Sequence, residues 1–219
     1  MTRDFPVLLL SYLYLFAALG VAEWLRRRQG YPVDFTRKVV HIAAGMTAYI
    51  LLLFTNRWMA LIPPISFIFI NTFSYWKGTF KGMELSERGK LGTIYFPISF
   101  SILTWLLWAQ RPLLVAALMP MTWGDALAAV VGRRWGRHTY RLLGSARSLE
   151  GSLAFFVVAW AATVLPLALL PASPFAGWSA LPVAWATAAA AAVAEALSPW
   201  GTDNLTVPAV SVLVLLACL

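Results

Sequence analysis

The chain is short of charge and of sulfur. Only 12% of its 219 residues are Asp, Glu, Lys or Arg, against 60% hydrophobic, and its mean hydropathy is +0.73. So little polar surface excludes an ordinary soluble globular domain. The single cysteine, Cys218, sits in an apolar tail with no second thiol and no histidine nearby, which excludes a disulfide framework and a zinc site. Several sequence patterns are also missing: the phosphate loop G-x-x-x-x-G-K-[ST], the dinucleotide turn G-x-G-x-x-G, the nucleophile elbow G-x-S-x-G and the metal pair H-E-x-x-H. No soluble-type nucleotide fold is hidden here.

What the sequence has in abundance is long apolar runs. A bilayer core about 30 Å thick takes roughly 20 apolar residues per helix. Runs of that order recur near 6–25, 39–55, 58–75, 93–109, 112–131, 151–170, 180–197 and 204–219. They predict an all-α polytopic transmembrane bundle of about eight helices. The spans leave too little chain for a soluble domain, so 1–219 reads as a single integral membrane domain. Pro63-Pro64 and Pro120 predict kinks in the third and fifth spans.

Of the 17 lysines and arginines, all but Arg3, Arg57 and Arg111 fall in the loops after the first, third and fifth spans. Such bias marks the cytoplasmic side and puts both termini on the opposite one. The net charge of +8 is then charge beside apolar spans, which attracts anionic membrane lipid and argues against nucleic acid. The first run, with Arg3 before it and Arg26, Arg27 and Arg28 after it, reads as a retained span and not a cleaved signal. Nothing resembles a transit peptide, so a bacterial inner membrane is expected.

Four polar groups gather at the predicted cytoplasmic side. The first is Arg37-Lys38-x-x-His41, where the cations also serve topology but an imidazole at a membrane boundary needs a partner or a task. The second is Gly124-Asp125-x-x-Ala128-x-x-x-Gly132-x-x-x-Gly136. Small residues every four positions make a helix-packing face. Asp125, roughly 9 Å inside the span end at 1.5 Å per residue, is costly there unless a cation, metal or water pocket receives it.

The third group, Ser145-x-Arg147-Ser148-x-Glu150-Gly151-Ser152, reads equally as a helix cap and as a phosphate receptor at a helix start. The fourth, Glu195-x-x-x-x-x-Gly201-x-Asp203-Asn204-x-x-x-Pro208, reads as a capped loop or as further ligands. Acids from separate segments reaching one membrane level amid cations are what magnesium-assisted phosphate chemistry requires.

Taken in order, these stretches resemble the membrane-bound polyprenol kinase family that includes phytol kinase and dolichol kinase. The resemblance runs from about Arg37 to Pro208, through RKVVHIAAG at 37–45, ERGKLG at 87–92, GDALAAVVGRRWG at 124–136, SARSLEGS at 145–152 and EALSPWGTDNLTVP at 195–208. It implies transfer of a γ-phosphoryl group, usually from CTP, to the hydroxyl of a long isoprenoid alcohol with a divalent metal, Mg2+ or another. Arg147 stands where the family commonly has lysine, which keeps the charge and changes the donor geometry.

On that reading Asp125, Asp203 and Glu195 are the metal ligands. Arg37, Lys38, Lys90 and Arg147 contact phosphates, with Ser148, Gly124, Gly151, Ser152 and Asn204 completing the nucleotide site. Asp125, Glu150 and His41 are the catalytic candidates, Glu150 or His41 taking the alcohol proton. Two rival readings of the same residues are a CTP:phosphatidate cytidylyltransferase-like lipid enzyme and an ion-coupled transporter. The almost wholly apolar outward halves of the spans argue against the transporter.

Overall fold

The computed structural model describes residues 3–77 and 91–219. Among these, eight helical rods carry most of the chain and one short β-hairpin joins two of them. The rods divide into two compact units, Met1–Leu106 and Leu107–Leu219.

In the first unit, α1 (Phe5–Gln29) has a proline in its opening turn, where a missing N–H costs nothing. It closes on Gly30, whose φ of +69° is the left-handed cap that glycine adopts without strain. Asp4, 1% exposed, anchors the helix entry. Its carboxylate accepts from the Thr55 N–H and hydroxyl, both at 2.9 Å, and from the Asn56 N–H at 2.8 Å. The next rod, α2 (Val33–Ile50), starts after Pro32 and ends in a tight turn at Leu51–Leu53.

This start lies well ahead of the apolar run predicted from 39. Arg37 and Lys38 therefore ride in the early turns of α2 instead of in the loop before it, because a helix needs capping and propensity but not apolarity to begin. The third rod, α3 (Arg57–Lys77), runs on through Pro63-Pro64, and α4 (Gly92–Leu106) contains Pro97. At Pro97 the missing N–H would have served the carbonyl of Thr93, four residues back. The Asn71 side-chain amide of α3 donates to that carbonyl instead, at 2.7 Å.

The second unit is built around α5 (Arg111–Met119), in which every side chain from Pro112 onward is buried. Instead of a simple kink, Pro120 opens a wide π-type turn at Pro120–Gly124, which leads into α6 (Asp125–Trp135). Strands β1 (Thr139–Leu142) and β2 (Ser145–Ser148) pair antiparallel, Thr139 opposite Ser148 and Leu142 opposite Ser145. Their two-residue turn has Leu143 at φ +46° and Gly144 at φ +81°, the left-handed pair that a tight hairpin demands.

Three more rods follow: α7 (Leu149–Leu169), α8 (Ala180–Leu197) and α9 (Asp203–Ala217). Small residues bring α6 and α7 together. A Cβ on Gly151 would stand 3.1 Å from the Ala128 carbonyl and 3.3 Å from the Gly132 Cα, so backbone meets backbone there. The side of α8 that packs is alanine at 180, 184, 188 and 191, all buried.

By length and composition, five helical segments among the described residues can cross a bilayer: Phe5–Gln29, Arg57–Lys77, Arg111–Trp135, Leu149–Leu169 and Gly177–Leu197. Gly92–Leu106 and Asp203–Ala217 are apolar but shorter. Large apolar side chains such as Phe69, Leu153 and Leu213 are more than half exposed, as lipid contact requires. The chain is a membrane protein.

Candidate active site

Helix ends place the acids. Asp125 is the first residue of α6, Glu195 lies in the last turn of α8, and Asp203 opens α9. One carboxylate oxygen from each lies within 4.8 Å of the others. Glu195 is 3% exposed, and its two partners are half-buried.

Three negative charges so close repel strongly unless positive charge joins them. Part of it comes from Arg147 on β2, whose Nη1 donates to Glu195 Oε1 and whose Nη2 donates to the Ser198 carbonyl at 2.7 Å. Among the described residues the Nε of the same guanidinium is buried without a partner. The all-oxygen donor set fits a hard divalent cation such as Mg2+, which binds through one or two carboxylates and keeps room for phosphate oxygens.

Beside the acids opens a cleft of about 330 Å³, lined among others by Asp125, Gly132, Arg147, Ser148, Ser152 and Glu195. Ser148 caps α7, its hydroxyl accepting from the Gly151 N–H at 3.1 Å. The start of α7 thus faces the cleft with a hydroxyl, a glycine and a serine, a form of backbone suited to anions. The Tyr140 hydroxyl lies 2.6 Å from Ser152 Oγ and pins the hairpin to α7.

No family model matches the chain, and no solved structure does. Among curated proteins it is 36% identical over 210 residues to the phytol kinase of Synechocystis sp., covering 94% of this chain and 88% of that one. The chain belongs to the polyprenol kinase family that includes phytol kinase. It is also 26% identical to the CTP-dependent diacylglycerol kinase 1 of Schizosaccharomyces pombe, over 87% of this chain and 93% of that one. A probable chloroplastic phytol kinase 1 of Oryza sativa subsp. japonica matches at 24%, over 75% of this chain and 56% of that one. The chain is a kinase, a phosphotransferase with an alcohol acceptor.

In this kinase the residues singled out from sequence part into groups. Asp125, Glu195, Arg147, Ser148, Gly151 and Ser152 line the cleft, and Asp203 completes the acid cluster. Asn204 braces Asp203: its backbone N–H and side-chain amide donate to Asp203 Oδ1 at 2.9 and 3.0 Å, and the amide also reaches the Gly201 carbonyl at 3.2 Å. That makes it a positioning residue for a carboxylate.

Gly124 is a packing glycine and not a cleft residue. A Cβ there would meet Ala159 and Phe155 of α7, each at 3.2 Å. Glu150 turns away from the cluster to His138, accepting from its backbone N–H at 3.2 Å and pairing with its Nδ1 at 2.7 Å. It thereby closes the base of the hairpin.

Arg37, Lys38 and His41 belong to the first unit. There Arg37 Nη2 lies 3.8 Å from Asp34 Oδ1, Lys38 is buried, and His41 meets the Phe96 ring edge-on at 4.8 Å between centroids. Lys90 lies outside the described residues. Sequence reasoning passed over Arg133, Thr139 and Tyr140, two of which line the cleft while the third holds its wall. Within the 124–136 stretch Arg133 reads as loop charge, and no motif marks the other two.

Proposed function

We propose that this lipid kinase transfers the γ-phosphoryl group of CTP to the hydroxyl of a long-chain isoprenoid alcohol, with Mg2+ or a similar cation at Asp125, Glu195 and Asp203. The observation that carries the reading is the meeting of these three acids with Arg147 beside a cleft large enough for a polyphosphate. Phosphoryl transfer passes through a loose transition state in which positioning and charge neutralisation do most of the catalysis. A divalent cation held by Asp125, Glu195 and Asp203 would supply charge neutralisation for phosphate oxygens.

The protein's own residues do the rest. Arg147, which lines the cleft, sets its positive charge beside a phosphate oxygen, and the Ser148–Ser152 start of α7 receives a second. Asn204 keeps Asp203 turned in place. The clustering of basic residues after the first, third and fifth rods supports a cytoplasmic active site in a bacterial inner membrane with both termini outside.

CTP labelled at its γ-phosphorus tests the reaction in purified, lipid-reconstituted protein. Label should appear on phytol or geranylgeraniol with release of CDP. Label leaving as pyrophosphate would instead mean cytidylyl transfer and end the proposal.

A further inference from the structure

The first unit contains a cavity of about 80 Å³ that the chemistry above does not use. Its walls are almost entirely hydrocarbon, among them Leu15 of α1, Ala44 of α2, Phe67 of α3 and Phe100 of α4. Two hydroxyls in the wall are engaged within their own helices, Ser11 Oγ donating to the Val7 carbonyl at 2.8 Å and Thr47 Oγ1 to the Ala44 carbonyl at 2.5 Å.

Asn71 is the exception. It lines the cavity, and its Nδ2 is committed to the Thr93 carbonyl that Pro97 leaves without a helical donor. That bond fixes which way the amide faces, since a flip would set two oxygens against each other. Among the described residues Oδ1 is thereby a buried acceptor with no hydrogen-bond partner. A buried carbonyl oxygen without a donor costs about 1–3 kcal/mol, so its presence calls for a ligand. Water is a poor candidate, because a buried water needs two to four polar partners and, beside two hydroxyls whose donors are already spent, this wall offers one. The complement of an apolar pocket with a single orphan acceptor is a molecule with a hydrocarbon body and a single O–H donor.

We propose that this cavity binds the acceptor alcohol, its hydroxyl donating to Asn71 Oδ1 and its adjoining carbons lying between Phe67, Phe100 and Ala44. The assignment rests on the reading of the chain as a kinase of long-chain alcohols and names where in the N-terminal unit such an alcohol is held. A charged or many-hydroxyl lipid headgroup does not match the wall, whereas a primary alcohol on a branched hydrocarbon does.

The test is equilibrium binding of tritiated geranylgeraniol and of its methyl ether to the full-length protein in nanodiscs, without nucleotide. The ether keeps the hydrocarbon and loses the donor. Wild type should hold the alcohol on the order of tenfold more tightly than the ether, the worth of one hydrogen bond. Asn71→Leu should erase that preference, and Ala44→Phe, which fills the cavity and leaves Asn71 intact, should weaken both ligands at least tenfold. In turnover assays Ala44→Phe should raise the KM for the alcohol and leave the KM for CTP unchanged.

Equal affinity of wild type for alcohol and ether overturns the proposal with no variant needed, as does wild-type binding by Ala44→Phe. Failure of the kinase reading looks different: the alcohol binds with these preferences and no γ-label reaches it.

Discussion

At the scale of single residues, the structure ties stability to a few charged side chains. Arg147 is the clearest, for it holds Glu195, which is only 3% exposed, and the Ser198 carbonyl with one guanidinium. Arg147→Met leaves the buried Glu195 carboxylate without its guanidinium, a loss of about 3–5 kcal/mol. Melting in EDTA should show it, and adding Glu195→Gln should recover much of the loss. Unchanged melting of the single variant would remove the pairing.

Asp4 gives a pH signature outside the membrane spans. The Thr55 backbone N–H, helped by the Thr55 hydroxyl and the Asn56 N–H, holds its carboxyl below the ordinary 3.8, against burial, which pushes it up. A carboxyl depressed in the folded state contributes stability that is complete above its unfolded pKa and is lost as pH falls through the lower folded value. Below about pH 4 the wild-type melting temperature should therefore fall more steeply than that of Asp4→Asn. Parallel profiles would show that the tether contributes nothing.

At the scale of elements, the contact of α6 with α7 and the small hairpin decide the shape of the cleft. Gly151→Val would press a side chain on Ser148 Oγ at 3.0 Å and on the Ala128 carbonyl at 3.1 Å. Separating the helices should cost on the order of 1–3 kcal/mol and most of the turnover. Gly20→Ala is the contrasting control: nothing stands within 4 Å of its Cβ position, and the exchange in mid-helix should be neutral or stabilising by up to about 1 kcal/mol. Equal melting of the two variants would contradict the close crossing.

The rods were legible in the sequence because an apolar run of span length between polar breaks has few other solutions. The early start of α2 was not, since Asp34, Arg37 and Lys38 look like loop until a helix carries them. The hairpin was hidden as well. Its strands, Thr-Tyr-Arg-Leu and Ser-Ala-Arg-Ser, lack alternation, and its turn has leucine where asparagine is usual. Asp125 drew attention because a carboxylate in an apolar run is expensive. That Arg147 pairs with Glu195, and Glu150 with His138, depends on side-chain directions across helices that no spacing encodes.

At the scale of the whole molecule, the acid cluster should make folding respond to divalent cations. A ligand that binds only the folded state stabilises it by mass action. Millimolar Mg2+ should raise the melting temperature of the EDTA-stripped protein by a few degrees. Asp203→Asn and Asp125→Asn should each abolish both that shift and the turnover, while leaving a folded protein. A shift that survives in both variants would place the cation elsewhere.

The wide turn at Pro120–Gly124 sets a further condition on the rod from Arg111 to Trp135. An ordinary helix is a rigid screw in which one residue gained or lost rotates everything beyond it by about 100°. A turn already carrying a surplus residue acts as a slip joint: by tightening it can absorb a single deletion from the greasy lower half. The lower half can then change its count by one residue without swinging the aspartate above it out of line.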